Sequence, residues 1–168
     1  MSNQQLDNGD EVVKVVIEQT YDDTDEVDVE CPWAKPLGGN RYQLQNYPFF
    51  AYGISFEDIF EAEPKYEDDP RPYVTRVVQK SGHRTLRIFM KESIQESAEA
   101  RAVLDRLQAM GCGYEGDGAK FFVINVQPHC DFEAVRDYVD SCDIDWEYAD
   151  PTYETLFPDG DEDVAASD

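Results

Sequence analysis

VVQKSGHRTLRIFMK, residues 77–91, carries five basic side chains and no acid, in a chain of 168 residues with a formal net charge of -23. Its reading decides the fold. PYVTRVVQ (72–79) and RTLRIFMK (84–91) have the composition and alternation of strands, and KSGH between them, with Gly82 at the bend, predicts a β-hairpin. Alternation along the second strand sends Arg84 to the face of Leu86, Ile88 and Met90, and Arg87 to the face of Thr85 and Phe89.

Upstream, EVVKVVIEQ (11–19), VDVECPW (27–33), GGNRYQL (38–44) and ISFEDIFEAEP (54–64) read as further short strands with turn signals between them. Strands at this spacing predict a small β-barrel or a curved antiparallel sheet over residues 11–91. Downstream the period changes. In SIQESAEARAVLDRLQAMG (93–111), Ala100, Val103, Leu104, Leu107 and Met110 fall at helical spacing and Gly111 supplies a stop. AKFFVINVQP (119–128) reads as a strand, and the glycines of GCGYEGDG (111–118) read as turns. Asp131 offers an N-cap for a second helix with Val135, Tyr138, Val139 and Cys142 on one stripe, and DIDWEYA (143–149) closes as a strand. The expected class is α+β: the β-rich part joined to a C-terminal βαβαβ, ferredoxin-like sandwich over 84–157, the two sharing the strand at 84–91. Residues 1–10 and the acidic tail 158–168 are polar and aperiodic, and read as disordered.

The acid is unevenly placed. Residues 1–30 hold ten Asp/Glu against Lys14, 57–69 hold seven against Lys65, and 131–150 hold eight against Arg136, whereas 71–91 hold six Lys/Arg and no acid. Such a field disfavours nucleic acid and anionic membranes, whose phosphates need cations, and suits capture of a basic protein partner. The candidate partner-binding residues are therefore Asp22, Asp23, Asp25, Glu26, Asp28, Glu57, Glu61, Glu63, Asp68, Asp69, Asp143, Asp145 and Glu147. Four cysteines without a CxxC pair, no apolar leader and no membrane-length apolar run give a cytoplasmic expectation with free thiols.

Signals for chemistry are thin. In SGHRT, Ser81 and His83 have no nearby acid in the stretch to orient the ring, and no GxSxG elbow occurs, so turn chemistry outweighs a hydrolytic pair. Lys80, His83, Arg84 and Arg87 could grip an anion, but alternation divides them, and cross-strand pairing with acid-rich strands accounts for their charge. No P-loop, dinucleotide fingerprint, EF-hand or metal spacing is present, so neither cofactor nor metal is expected. The aromatics Trp33, Tyr47, Phe49, Phe50 and Tyr52 are expected in the core, or as interface anchors if exposed.

Taken together, Trp33, the Asn46-x-Pro48-Phe49-Phe50-x-x-Gly53-Ile54-Ser55 segment with Asp58, and Ser81-Gly82-His83-x-Thr85-Leu86-Arg87 resemble the bacterial family called domain of unknown function 4265. A weaker match runs through Leu107, Gly111, Cys112 and Glu115, and the resemblance spans about residues 12–150. Phe56-Glu57 before Asp58 departs from the smaller, glycine-containing pattern of relatives. The resemblance implies kinship without an activity. The reading from the residues is a non-catalytic acidic binding protein, most concretely an immunity protein that blocks a basic, nucleic-acid- or nucleotide-directed toxin. The alternatives are a small-molecule anion sensor or enzyme built on Lys80, His83, Arg84 and Arg87, and a DNA mimic.

Overall fold

A computed structural model describes residues 11–160; of the expected disordered ends, 1–10 and 158–168, residues 1–10 and 161–168 lie outside the described residues, while 158–160 form a turn in which the Gly160 amide donates to the Phe157 carbonyl. The first half consists of strands β1 (Val13–Lys14), β2 (Ile17–Thr20), β3 (Val27–Glu30), β4 (Trp33–Gly38), β5 (Arg41–Leu44), β6 (Ile59–Tyr66) and β7 (Asp69–Gln79). Five of them form one antiparallel sheet in the order β1-β4-β5-β6-β7, while β2 and β3 pair only with each other. Register shifts along β4/β5 and β6/β7 bend the sheet. It curves without closing into a barrel: β1 and β7 are its edges, and the chain next to β1 meets β7 only through the parallel bridge Val16↔Tyr73. Pro70 and Pro72 lack the N–H groups a longer ladder on that edge of β7 would need.

The run 11–19 is not the single strand its apolar pattern predicts. Val15, Val16 and Ile17 are consecutive and all buried, so the chain turns from one sheet into the other there. The alternation in 27–33 also misleads, because Val27 and Val29 are the exposed side of β3, at 48% and 52%.

The larger correction concerns the opening stretch. β7 and β8 (Arg84–Phe89) do not form a hairpin: β7 pairs with β6, and β8 pairs with β10 (Phe121–Val126) and β11 (Asp145–Asp150). The corner between them is held by a different partner. The Ser81 amide donates to Asp58 Oδ1 at 2.7 Å and the Ser81 hydroxyl to the Phe56 carbonyl at 2.6 Å. Gly82 takes φ +99, and a Cβ there would lie 3.2 Å from the Pro128 side chain.

The second half is a four-stranded antiparallel sheet in the order β11-β8-β10-β9, with helix α1 (Ala98–Ala109) between β8 and β9 (Cys112–Asp117), and α2 (Phe132–Ser141) between β10 and β11. A short helix α3 (Tyr153–Leu156) follows. Both long helices start where a side-chain oxygen caps them: Ser97 accepts from the Ala100 amide, and Asp131 from the Ala134 amide. Leu86, Ile88, Phe122, Ile124 and Val126 on one sheet face pack against Ala100, Leu104, Leu107, Val135 and Val139 of the helices.

β9 was expected to be turn. Its glycines serve packing instead: a Cβ at Gly113 would sit 2.3 Å from the Tyr47 hydroxyl, and one at Gly116 would sit 2.6 Å from the Phe122 ring. The expected βαβαβ order is therefore βαββαβ. A separate apolar cluster of Val15, Ile17, Ala34, Leu44, Ala51, Ile54, Phe60 and Ala62 fills the first half. The molecule is an α+β assembly of two apolar cores, and what joins them is mostly polar.

Candidate functional site

The odd-numbered face of β8 looks away from the helices and onto the loop 46–58. Thr85 and Arg87 on it are each 1% exposed; Thr85 meets fully buried Ser55, whose neighbours are the buried Asp58 and Asp150. Thr85 and Ser55 hydroxyls lie 2.6 Å apart, and Ser55 Oγ donates to Asp150 Oδ2 at 2.6 Å. Lys80 Nζ then bridges Asp150 Oδ2 at 2.6 Å and Asp58 Oδ2 at 2.5 Å. Asp58 also accepts from the amides of Ser55 (2.8 Å) and Ser81 (2.7 Å). Buried carboxylates persist only when donors surround them, and here every donor is intramolecular. Ser55 Oγ has no solvent access, which removes it as a nucleophile in this arrangement.

His83 stands at the rim of this seam. Its Nδ1 is 3.0 Å from Asn125 Nδ2, its Nε2 is 3.2 Å from Glu57 Oε1, and the Phe56 ring packs edge-on against it. Among the described residues Glu57 is the non-glycine residue with a left-handed backbone, φ 66, at a strain of about 1 kcal/mol. Ser81 Oγ accepts from the His83 amide, not from its ring, as turn chemistry requires.

Arg87 anchors the other end. Its guanidinium lies 4.9 Å over the Tyr52 ring, donates to Glu147 Oε2 at 3.1 Å, and also donates to the carbonyls of Ala51 and Pro48, leaving Nε without an acceptor. Arg87 and Glu147 are direct cross-strand partners. The loop it holds is clamped from the far side by Glu30, whose carboxylate accepts the amides of Phe49, Phe50 and Ala51, all at 2.8 Å.

Outside the seam, a cleft of about 1220 Å³ opens between the β2–β3 turn, α2, β11 and α3. Its walls are aromatic: Tyr21, Tyr52, Trp146, Tyr148 and Tyr153. Trp146 and Tyr148 pack edge to face at 4.9 Å, and Trp146 donates to Asp140 at 3.2 Å. Six carboxylates line it, Asp22, Asp23, Asp137, Asp140, Glu147 and Glu154, against the single guanidinium of Arg136, which bonds Asp137 and the Tyr148 hydroxyl. A hydrogen bond to Asp28 pushes the Tyr21 phenol up to about 12, and burial followed by the bond to Glu147 does the same for Tyr52. Both stay neutral donors at neutral pH. The cleft can attract a cation electrostatically and offer it ring faces.

The residues singled out in the sequence scatter accordingly. Asp22, Asp23 and Glu147 line the cleft; Asp25 and Glu26 are exposed beside it, and Asp28 holds Tyr21. Glu61 pairs with Arg41 and Arg76, Glu63 accepts from Asn40, Asp69 pairs with Arg71 and Tyr73, and Asp68 is exposed in the β6–β7 turn. Asp143 pairs with Lys91, and Asp145 is exposed at the start of β11. Lys80, His83, Arg84 and Arg87 are not brought onto one ligand: Arg84 lies on the helix side, 4.6 Å over the Phe132 ring, and the others are bonded as described. Asp137, Asp140 and Glu154 are additional cleft acids, and the first two were legible as the polar side of α2, opposite Val135 and Val139. Of the aromatics, Trp33 and Phe50 are exposed, at 42% and 39%.

Residues 30–146 match the family described as Domain of unknown function (DUF4265). The chain belongs to that family. Among the positions that carried the resemblance, Ser55, Asp58, Ser81 and Thr85 interlock in the seam, and Arg87 holds the adjoining loop. The fold resembles the crystal structure of a hypothetical protein from Neisseria gonorrhoeae, with a TM-score of 0.64 at 15% identity, covering 82% of this chain and 94% of that one. No curated protein matches the chain. No helix among the described residues is long and apolar enough to cross a membrane.

Proposed function

We propose that this chain is a non-catalytic binding protein that captures a basic protein partner, with the acidic aromatic cleft as the contact site. The observation that carries this reading is the six-to-one excess of carboxylates over guanidinium around five aromatic side chains. Ion attraction in such a cleft speeds encounter, and ring faces add short-range affinity for Lys or Arg. The buried seam supports the non-catalytic part, since its hydroxyls and carboxylates are engaged with one another. The most concrete form of the reading is an immunity protein that covers a basic toxin, and it draws on charge and size. Co-purification from the native host tests it: a basic protein in stoichiometric amount, released by raised salt and lost on Asp22→Lys with Asp23→Lys, is expected. Recovery of the chain alone would overturn the reading.

For the fold we infer a ferredoxin-like sandwich in the second half. The βαββαβ element order and the strand order β11-β8-β10-β9 support that assignment.

A further inference from the structure

Beside the acidic cleft lies a second pocket of about 300 Å³, walled by Phe49, Phe50, Phe89 and Phe121. Tyr21, Tyr52 and Glu147 line both, so the two are compartments of one groove. Phe89 stacks on Phe121 at 4.7 Å and an interplanar angle of 16°, and Phe121 meets Phe49 at 5.9 Å. Phe50 and Phe89 remain 39% and 42% exposed, so neither ring is consumed by the protein's own cores.

These rings are exposed for definite reasons. Phe89 follows the odd-numbered face of β8, beyond the point where loop 46–58 covers Thr85 and Arg87. Phe49 and Phe50 are fixed by the three amide bonds to Glu30, so the chain presenting them is already ordered. A preordered apolar surface next to an acidic one loses little conformational entropy on binding. It is the anatomy of an interface anchor beside a charged rim.

We propose that the groove recognises a segment of its partner in which an apolar side chain stands close to a Lys or Arg. The apolar group enters among the phenyl rings, and the cation lies across Tyr52 and Glu147 in the acidic compartment. This deepens the basic-partner reading and rests on it. Charge decides the occupant. Arg87 is bonded to Glu147 and the loop carbonyls, and Asp117 and Glu147 face it in the phenyl compartment, so an anionic ligand meets net negative charge. A second copy would bring a net charge of -23 against another -23.

Selection of a random 12-residue peptide library on the full chain tests this, followed by calorimetric titration of the enriched peptides. Enriched sequences should combine an aromatic or aliphatic residue with a nearby Lys or Arg. Phe50→Ser, a surface change, should weaken them about tenfold. Asp22→Asn with Asp23→Asn should weaken them about fivefold and flatten the salt dependence. Replacing the peptide's apolar residue by Ala should cost the wild-type protein what Phe50→Ser costs, and should cost the Phe50→Ser variant little more. Basic peptides indifferent to Phe50→Ser would overturn this inference and leave capture of a basic partner standing. Peptides indifferent to the acidic substitutions, or no enrichment at all, would overturn both. Unchanged melting curves of the two variants show that binding losses are local.

Discussion

The seam between the two cores and the groove beside it are built from the same residue types and put them to opposite uses. In the seam, Asp58 and Asp150 are 0% and 5% exposed and are surrounded by amides, a hydroxyl and Lys80. In the groove, Asp22, Asp23 and Glu154 are solvated and line the same cleft as the aromatic rings. The difference teaches that carboxylate abundance is uninformative until burial is known. A buried carboxylate fixes geometry, and a solvated one in a concave aromatic wall is free to act on a partner.

The sharpest way to break that comparison is Asp58→Ala. It strands the Ser55 and Ser81 amides and leaves Lys80 with Asp150 and the Gly53 carbonyl, so a loss of about 2–5 kcal/mol, mostly from the two amides, is expected in urea unfolding. A loss under about 1 kcal/mol would mean the seam is not the structural tie described. Glu30→Ala should cost about 2 kcal/mol by freeing three loop amides, and it should also weaken peptide binding, because Glu30 holds the phenyl loop from behind. Gly82→Ala should cost about 1–2 kcal/mol in thermal unfolding, from the positive φ and the approach of Pro128, with groove affinity unchanged.

Alkaline pH separates the regions further. The Tyr52 phenol lies at about 12, above its ordinary 10.0, so the folded chain keeps a proton that the unfolded chain releases. That contribution is complete below pH 10 and is lost as pH rises to about 12. The stability of wild type relative to Tyr52→Phe should fall across this window, with tyrosinate absorbance reporting the same titration. The smallest effect is expected for Asp22→Asn with Asp23→Asn, within about 0.5 kcal/mol of wild type, since both side chains are exposed.

Much of the second half was legible in the sequence. The stripe at Leu104 and Leu107, the Asp131 cap and the alternation of β8 are local patterns, and local hydrogen bonds satisfy them. β9 was hidden because glycine is a poor strand former. Gly113 is explained by Tyr47, far away in sequence, and Gly116 by the ring of its cross-strand partner Phe122. The hairpin at 72–91 was misread for a related reason: a Gly-centred turn between two strands is what a hairpin looks like locally, while Asp58, outside that stretch, decides that the strands part. In the candidate site, the acids of residues 22–23 and 147 could be marked by composition. Their company with Trp146, Tyr153 and Asp140 could not, because it arises from how β2–β3 and α2 converge.

By itself, then, the sequence determined the acidic character, the α+β class, the two long helices and the Asp131 cap, and the division of Arg84 and Arg87 between two faces of one strand. These follow from periodicity, capping chemistry and charge, which act within a few residues. Only the tertiary structure decided that 77–91 runs from one sheet into another, and that its Lys80 and Arg87 are engaged by Asp58, Asp150 and Glu147. It also decided which of the many carboxylates share a cleft. The physical reason is burial: whether a charge is held by internal donors or left to water depends on groups brought together from across the whole chain.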